Sequence, residues 1–220
     1  MKKLVLLLLV LSLLALPGCK LVKKIGIGKT DASDIIEIAN KSTPTKVVTV
    51  VNYTTTRNDK LTGHYSTSTD GTNVIFEYYY EKLATPEESI KLGTTDREIH
   101  YEGTIYYKDG VYYGDQEDWR PGGVSAALDL KLNFDESLLK DVTLDEDGIV
   151  IEAKISSENL AKFIGTSLNA TGDATVKIST NGSNLTGIKI ECSTQNGTLT
   201  IESSYSYSKL DLFPESADET

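Results

Sequence analysis

Basic residues are the first shortage. The 220-residue chain sets 22 Lys and Arg against 32 Asp and Glu, a net charge of −10. Phosphate binding needs a basic face, so a nucleic-acid partner is excluded as a reading. Histidine is scarce as well: His64 and His100 are the whole supply, in separate predicted strands. Metal sites want more convergence of His, Cys or carboxylate, and no metal ligand is assigned. No Gly-x-Ser-x-Gly elbow occurs, so hydrolase chemistry has no visible nucleophile. Paired carboxylates are a spatial matter that a sequence does not display. The chain is read as a non-enzyme with no catalytic residue and no cofactor. After the first 16 residues there is no apolar run of the ~18 that a membrane span requires.

What is present begins at the start. Met1-Lys2-Lys3 leads into Leu4 to Leu16, apolar except for Ser12. Two lysines, an apolar run too short to span and a small-residue exit predict a secretory leader. The exit reads Leu16-Pro17-Gly18-Cys19. It resembles the lipobox of bacterial prolipoproteins, with an aliphatic residue three before the cysteine and a small residue beside it. The resemblance implies cleavage before Cys19, acylation of its thiol, and a lipid anchor on the extracytoplasmic face of a bacterial membrane. The expected organisation is a leader over 1–18, a lipidated tether over 19–30, one domain over 31–210 and a frayed acidic tail over 211–220. Losing Lys2 and Lys3 leaves 20 basic against 32 acidic residues, or −12. Lys20, Lys23, Lys24 and Lys29 follow the anchor and either lie on the membrane surface or form a solvated tether. With Cys19 acylated, Cys192 has no cysteine to pair with. It follows Ile188 and Ile190 at strand spacing, which predicts a buried, inert thiol.

Asp31-Ala32-Ser33-Asp34 offers capping oxygens before Ile35, Ile36, Ile38 and Ala39, predicting a helix over 31–42 that Pro44 ends. Period two follows from Lys46 to Tyr53, and another strand is read over 61–69. Asp70-Gly71 is a predicted turn. Along the next strand, Val74, Phe76, Tyr78 and Tyr80 share one side while Ile75, Glu77, Tyr79 and Glu81 share the other. Thr85-Pro86-Glu87-Glu88 starts a short helix. Ile99, Tyr101, Ile105 and Tyr107 share a face of the strand over 97–107, and Asp109-Gly110 predicts a tight hairpin. A loop over 114–123 holds Trp119, and 124–132 reads as helical. One helical turn is expected over 135–140, a strand pair about Asp147-Gly148, an amphipathic helix over 158–168, and a closing meander over 173–208. Hairpin connections make neighbours antiparallel. The expected fold class is therefore α+β: a curved antiparallel sheet, or half-open β-barrel, of about nine strands wrapped over two to four helices.

That order resembles the LolA/LolB and LppX/LprG superfamily of lipid-binding lipoproteins. Two stretches carry the likeness. Ile105 to Tyr113 is a strand, a turn and a strand, with Trp119 after a loop. Ile149 to Ile155 precedes the helix of Ser157 to Leu168, and Ala174 to Ile178 leads into paired strands. The resemblance implies a half-barrel whose concave side encloses a cavity for acyl chains. This sequence departs from it in being rich in Tyr, Thr and Asn.

The candidate ligand-cavity residues are Val74, Phe76, Tyr78, Tyr80, Ile99, Tyr101, Ile105 and Tyr107, with phenols reaching toward headgroup oxygens. The competing reading takes the same rings as ordinary filling of a sheet by residues of high strand propensity. Asp145-Glu146-Asp147-Gly148 lacks the spaced ligands of a calcium loop and reads as a turn. Gly26 to Thr30 ends like a phosphate-binding loop, but no strand precedes it. The expected function is a membrane-anchored lipoprotein that binds or carries a lipid or other hydrophobic ligand. The alternative is an envelope interaction or sensor protein with no small ligand, using exposed tyrosines and Trp119 as its contact surface.

Overall fold

The computed structural model describes residues 31–114, 132–165 and 167–213. Contacts divide the chain after Asp31, and Ala32–Thr220 forms one compact unit. The predicted leader, Cys19, the tether and the loop bearing Trp119 lie outside the described residues.

Helix α1 (Ala32–Lys41) forms where sequence spacing places it and buries Ile35, Ile36 and Ala39. Strands β1 (Lys46–Thr55), β2 (Lys60–Thr69) and β3 (Val74–Leu83) follow. Helix α2 (Pro86–Leu92) leads into β4 (Glu98–Lys108) and β5 (Val111–Gly114). From residue 132 onward come a 3₁₀ turn (Glu136–Leu138), β6 (Leu139–Leu144), β7 (Val150–Ile155), helix α3 (Ser157–Ile164), β8 (Ala174–Thr180), β9 (Leu185–Thr194) and β10 (Gly197–Ser206).

All ten strands join one sheet in the order β5-β4-β3-β2-β1-β10-β9-β8-β7-β6, and every neighbour pair is antiparallel. Each half is a meander made of strands consecutive in the chain. The halves meet where β1 pairs β10 over ten residues, from Lys46 opposite Ser206 to Thr55 opposite Gly197. The sheet is open, with β5 and β6 at its edges.

This corrects the expected fold class. The chain is dominated by one ten-stranded antiparallel sheet with three short α-helices among the described residues, and it is not a half-open β-barrel wrapped over helices. The reason is a mismatch of lengths. A ten-residue helix at 1.5 Å per residue spans about 15 Å. Strands lie about 4.8 Å apart, so such a helix crosses about three of them. Helix α1 indeed packs on β6, β7 and β8, while α3 contacts the 3₁₀ turn. Helix α2 buries none of its own residues.

The main core therefore sits on the β6–β10 half. Ile35, Leu160, Phe163, Ile151, Ile155, Val176, Ile178 and Ile190 interlock there, each at most 2% exposed. Phe134 meets Phe163 edge to face at 5.6 Å. Polar ties fix α1 to this half. The Ser42 hydroxyl donates to the Ile38 carbonyl at 2.8 Å and accepts from the Leu185 amide at 2.8 Å. Asn40 Nδ2 donates to the Phe134 carbonyl at 2.9 Å. Cys192 is buried in this cluster, and burial pushes its thiol pKa up.

Two boundaries differ from expectation. Helix α3 stops at Ile164 because Gly165 adopts a left-handed conformation at φ 74°, although Leu168 extends the apolar pattern. Strand β6 begins at Leu139, opposite Ile155, inside the span expected to be helical.

Candidate functional site

A row of aromatic rings crosses β2, β3 and β4 on one face. Period two alone puts Phe76, Tyr78 and Tyr80 on that face, and register sets their neighbours. Val74 lies opposite Tyr107, Phe76 opposite Ile105, Tyr78 opposite Gly103, Tyr80 opposite Tyr101, and Lys82 opposite Ile99. All eight residues expected to line a cavity thus share one side of the sheet. On β2, Thr67, Tyr65 and Gly63 oppose Phe76, Tyr78 and Tyr80.

The rings pack against one another. Centroids lie 6.4 Å apart for Tyr65 and Phe76, 5.9 Å for Phe76 and Tyr78, 6.2 Å for Tyr78 and Tyr80, and 5.3 Å for Tyr80 and Tyr101. The Lys82 ammonium caps the row 5.1 Å above the Tyr101 ring. Such pairs each add about 0.5–1.5 kcal/mol beyond the area they bury. Two glycines make the stacking possible. A Cβ on Gly103 would sit 2.6 Å from the Tyr78 Oη, and one on Gly63 would sit 2.9 Å from the Tyr65 ring. Burial, and secondarily Tyr80, pushes the Tyr65 phenol pKa up.

Phe76, Tyr78, Ile99 and Ile105 are buried, whereas Val74, Tyr80, Tyr101 and Tyr107 are half-buried. An open depression of about 640 Å³ is bordered by Tyr78 and Gly103 together with Glu77, Glu102, Thr104 and Tyr106. In the main core, the recess among Ala39, Phe134, Leu185 and Tyr205 holds about 30 Å³. That is about the share of one water molecule. Within the row, the described rings pack chiefly on one another.

The opposite face of β2–β4 is polar. Tyr79 stands between His64 at 6.2 Å and His100 at 5.8 Å, ring centroid to centroid. Its hydroxyl donates to Glu81 Oε1 at 2.9 Å, and Glu81 Oε2 accepts from the Thr62 amide. The Glu81 bond is the main cause that raises the Tyr79 pKa. Among the described residues, no group of three or more His, Cys, Asp or Glu is arranged to hold a metal ion. Asp145 uses its carboxylate on its own turn, accepting from the Ile149 and Val150 amides at 2.8 and 2.9 Å.

A third feature escaped the sequence reading. At the β1–β2 turn, the Thr55 hydroxyl donates to Asp59 Oδ2 at 2.8 Å, and Arg97 Nη2 donates to the same oxygen at 2.7 Å. These residues border a recess of about 400 Å³ with Arg57, Tyr53, Leu61 and Leu83. The available signal was rarity: the chain has three arginines, and Arg57 and Arg97 both adjoin strand ends. Nearby, α2 leaves Ile90 81% and Leu92 52% exposed. It is held by a capping box between Thr85 and Glu88 and by the Lys82–Glu88 ion pair. No described helix is long and apolar enough to cross a membrane.

No known family matches the chain, and no curated protein matches it either.

Proposed function

We propose that this chain is a lipid-anchored protein of a bacterial cell envelope that works through its surface, as an interaction module. The leader and the Leu16-Pro17-Gly18-Cys19 exit support the tethering. One observation favours surface over cargo: apolar side chains stay exposed on β4 and β5, while the described core residues pack on one another. Ile35, Ile151, Ile155, Leu160 and Phe163 are buried together in the main cluster, and the rings of β2–β4 pack on each other. Meanwhile Tyr106, Val111 and Tyr113 on β4 and β5 stay 36%, 49% and 53% exposed. A photoreactive residue at Tyr113 in the native envelope should yield a discrete protein adduct. Absence of any adduct there and at Val111 would sink the surface reading. Intact mass of the envelope form should show a diacylglycerol on Cys19, and an unmodified thiol there would remove the tether.

A second reading rests on Tyr65, Tyr80 and Tyr101, which leave part of the ring row half-exposed. On that reading, the row supports a lipid or other apolar ligand. Native mass spectrometry of the chain beginning at Lys20 separates the two: co-purified lipid lost on Tyr80→Ser would favour the ligand.

A further inference from the structure

The recess at the ends of β1–β4 has the make-up of a binding site. Its floor is apolar, with Tyr53, Leu61 and Leu83 half-buried. Its rim is cationic. The Asp59 side chain is 10% exposed, and its Oδ2 accepts from both Thr55 and Arg97, so it holds the Arg97 guanidinium at the recess. That single contact leaves most of the five donors of Arg97 unused by Asp59. Arg57 is exposed and has no acidic partner among the described residues. Two arginines against one carboxylate give the rim a charge of +1 on a chain of −10. Pockets that hold small molecules combine an apolar lining with a few placed polar groups. Guanidinium pairs suit phosphate and carboxylate oxygens.

We propose that this recess binds an amphiphilic oxyanion, an alkyl or aryl phosphate or carboxylate. The head sits between Arg57 and Arg97, and the apolar body lies on Tyr53, Leu61 and Leu83. This site lies apart from the ring row, and neither functional reading above depends on it. The same chemistry is presented by a free amphiphile and by the headgroup of a membrane lipid.

The test uses the chain from Lys20 onward, which keeps the whole compact unit Ala32–Thr220 and lacks any acyl group. Octyl phosphate, kept below its micelle concentration, is titrated by calorimetry, with inorganic phosphate and octyl glucoside in parallel. Saturable binding of octyl phosphate is expected, at least tenfold tighter than either comparator. Arg57→Gln should weaken it about tenfold, the loss of one charge-assisted contact, without lowering the melting temperature. Lys60→Gln removes the same charge from a neighbour outside the recess lining and should change nothing. Flotation with phosphatidylglycerol vesicles that Arg57→Gln abolishes would assign the lipid source, and octyl phosphate binding without flotation would assign the free one. The proposal is overturned if octyl phosphate fails to bind, if Arg57→Gln binds like the parent chain, or if Lys60→Gln loses as much as Arg57→Gln.

Discussion

Gly103→Ala is the sharpest probe of the ring row, because one methyl group decides the outcome. Gly103 lies opposite Tyr78 in the β3–β4 register. The added Cβ would come within 2.6 Å of the Tyr78 Oη, 2.8 Å of Cζ and 3.0 Å of Cε1. The ring is 6% exposed and stacked between Phe76 and Tyr80, so it cannot swing away without disturbing both. Overpacking of this kind costs about 1–3 kcal/mol. Against it, replacing a strand glycine recovers roughly 0.5–1 kcal/mol of chain entropy, and Gly103 has no positive φ to oppose alanine. The net loss should be about 1–2 kcal/mol, measured by urea denaturation. Gly187→Ala is the control: its nearest neighbour would be 3.5 Å away, so its stability should match or slightly exceed the parent. Tyr78→Leu combined with Gly103→Ala should cost less than the sum of the two changes, since the clash is then gone. If Gly103→Ala behaves like Gly187→Ala, the ring does not rest on that glycine and the account of the row is wrong.

Phe163→Ala empties a 0%-exposed position in the main core and should cost about 3–5 kcal/mol; a fall in stability below about 1 kcal/mol would show that α3 is not anchored as described. The Lys82 ammonium first, and the Thr85 amide after it, pull the Glu88 carboxyl from its ordinary 4.5 down to about 2. A depressed carboxylate stabilises above its unfolded value, so the support it gives α2 should be present at pH 5 and vanish between about 4.5 and 2. Amide exchange of Glu87–Leu92 should accelerate across that window, whereas Glu88→Gln should remove the acid dependence; a Glu88 titrating near 4.5 by carbon-detected NMR would refute the contact. Cys192, buried and with its thiol pKa raised, should react with Ellman's reagent only after denaturation in the chain beginning at Lys20. Immediate modification of the native protein would contradict that burial.

Much of the strand pattern was legible because alternation is a local property. Val74 to Tyr80 and Ile99 to Tyr107 announced their shared face from spacing alone, and register then placed Tyr80 opposite Tyr101. The Asp109-Gly110 turn was readable for the same reason, and both residues take the positive φ values, 52° and 81°, that a tight hairpin needs. What failed depended on geometry beyond the window. Leu168 continued the stripe of α3, yet Gly165 ended the helix. Helical cover depends on helix length against sheet width, and no periodicity encodes that ratio. The candidate cavity residues were legible as one face, because alternation is local; two-sidedness says nothing about what fills the space beside that face. Arg57 and Arg97 stand forty positions apart in two turns, and only strand pairing brings them to one recess.

The seam between β1 and β10 has a consequence for assembly. Strands made first and last are neighbours at the centre of the sheet, so ten rungs of backbone bonding join residues up to 160 positions apart. Neither meander can gain its inner neighbour until Ser206 is available, whichever end of the chain emerges first. Closure over so long a separation is slow. On the export route proposed above, that delay keeps the chain threadable, because its central zipper cannot engage before the final strand has arrived.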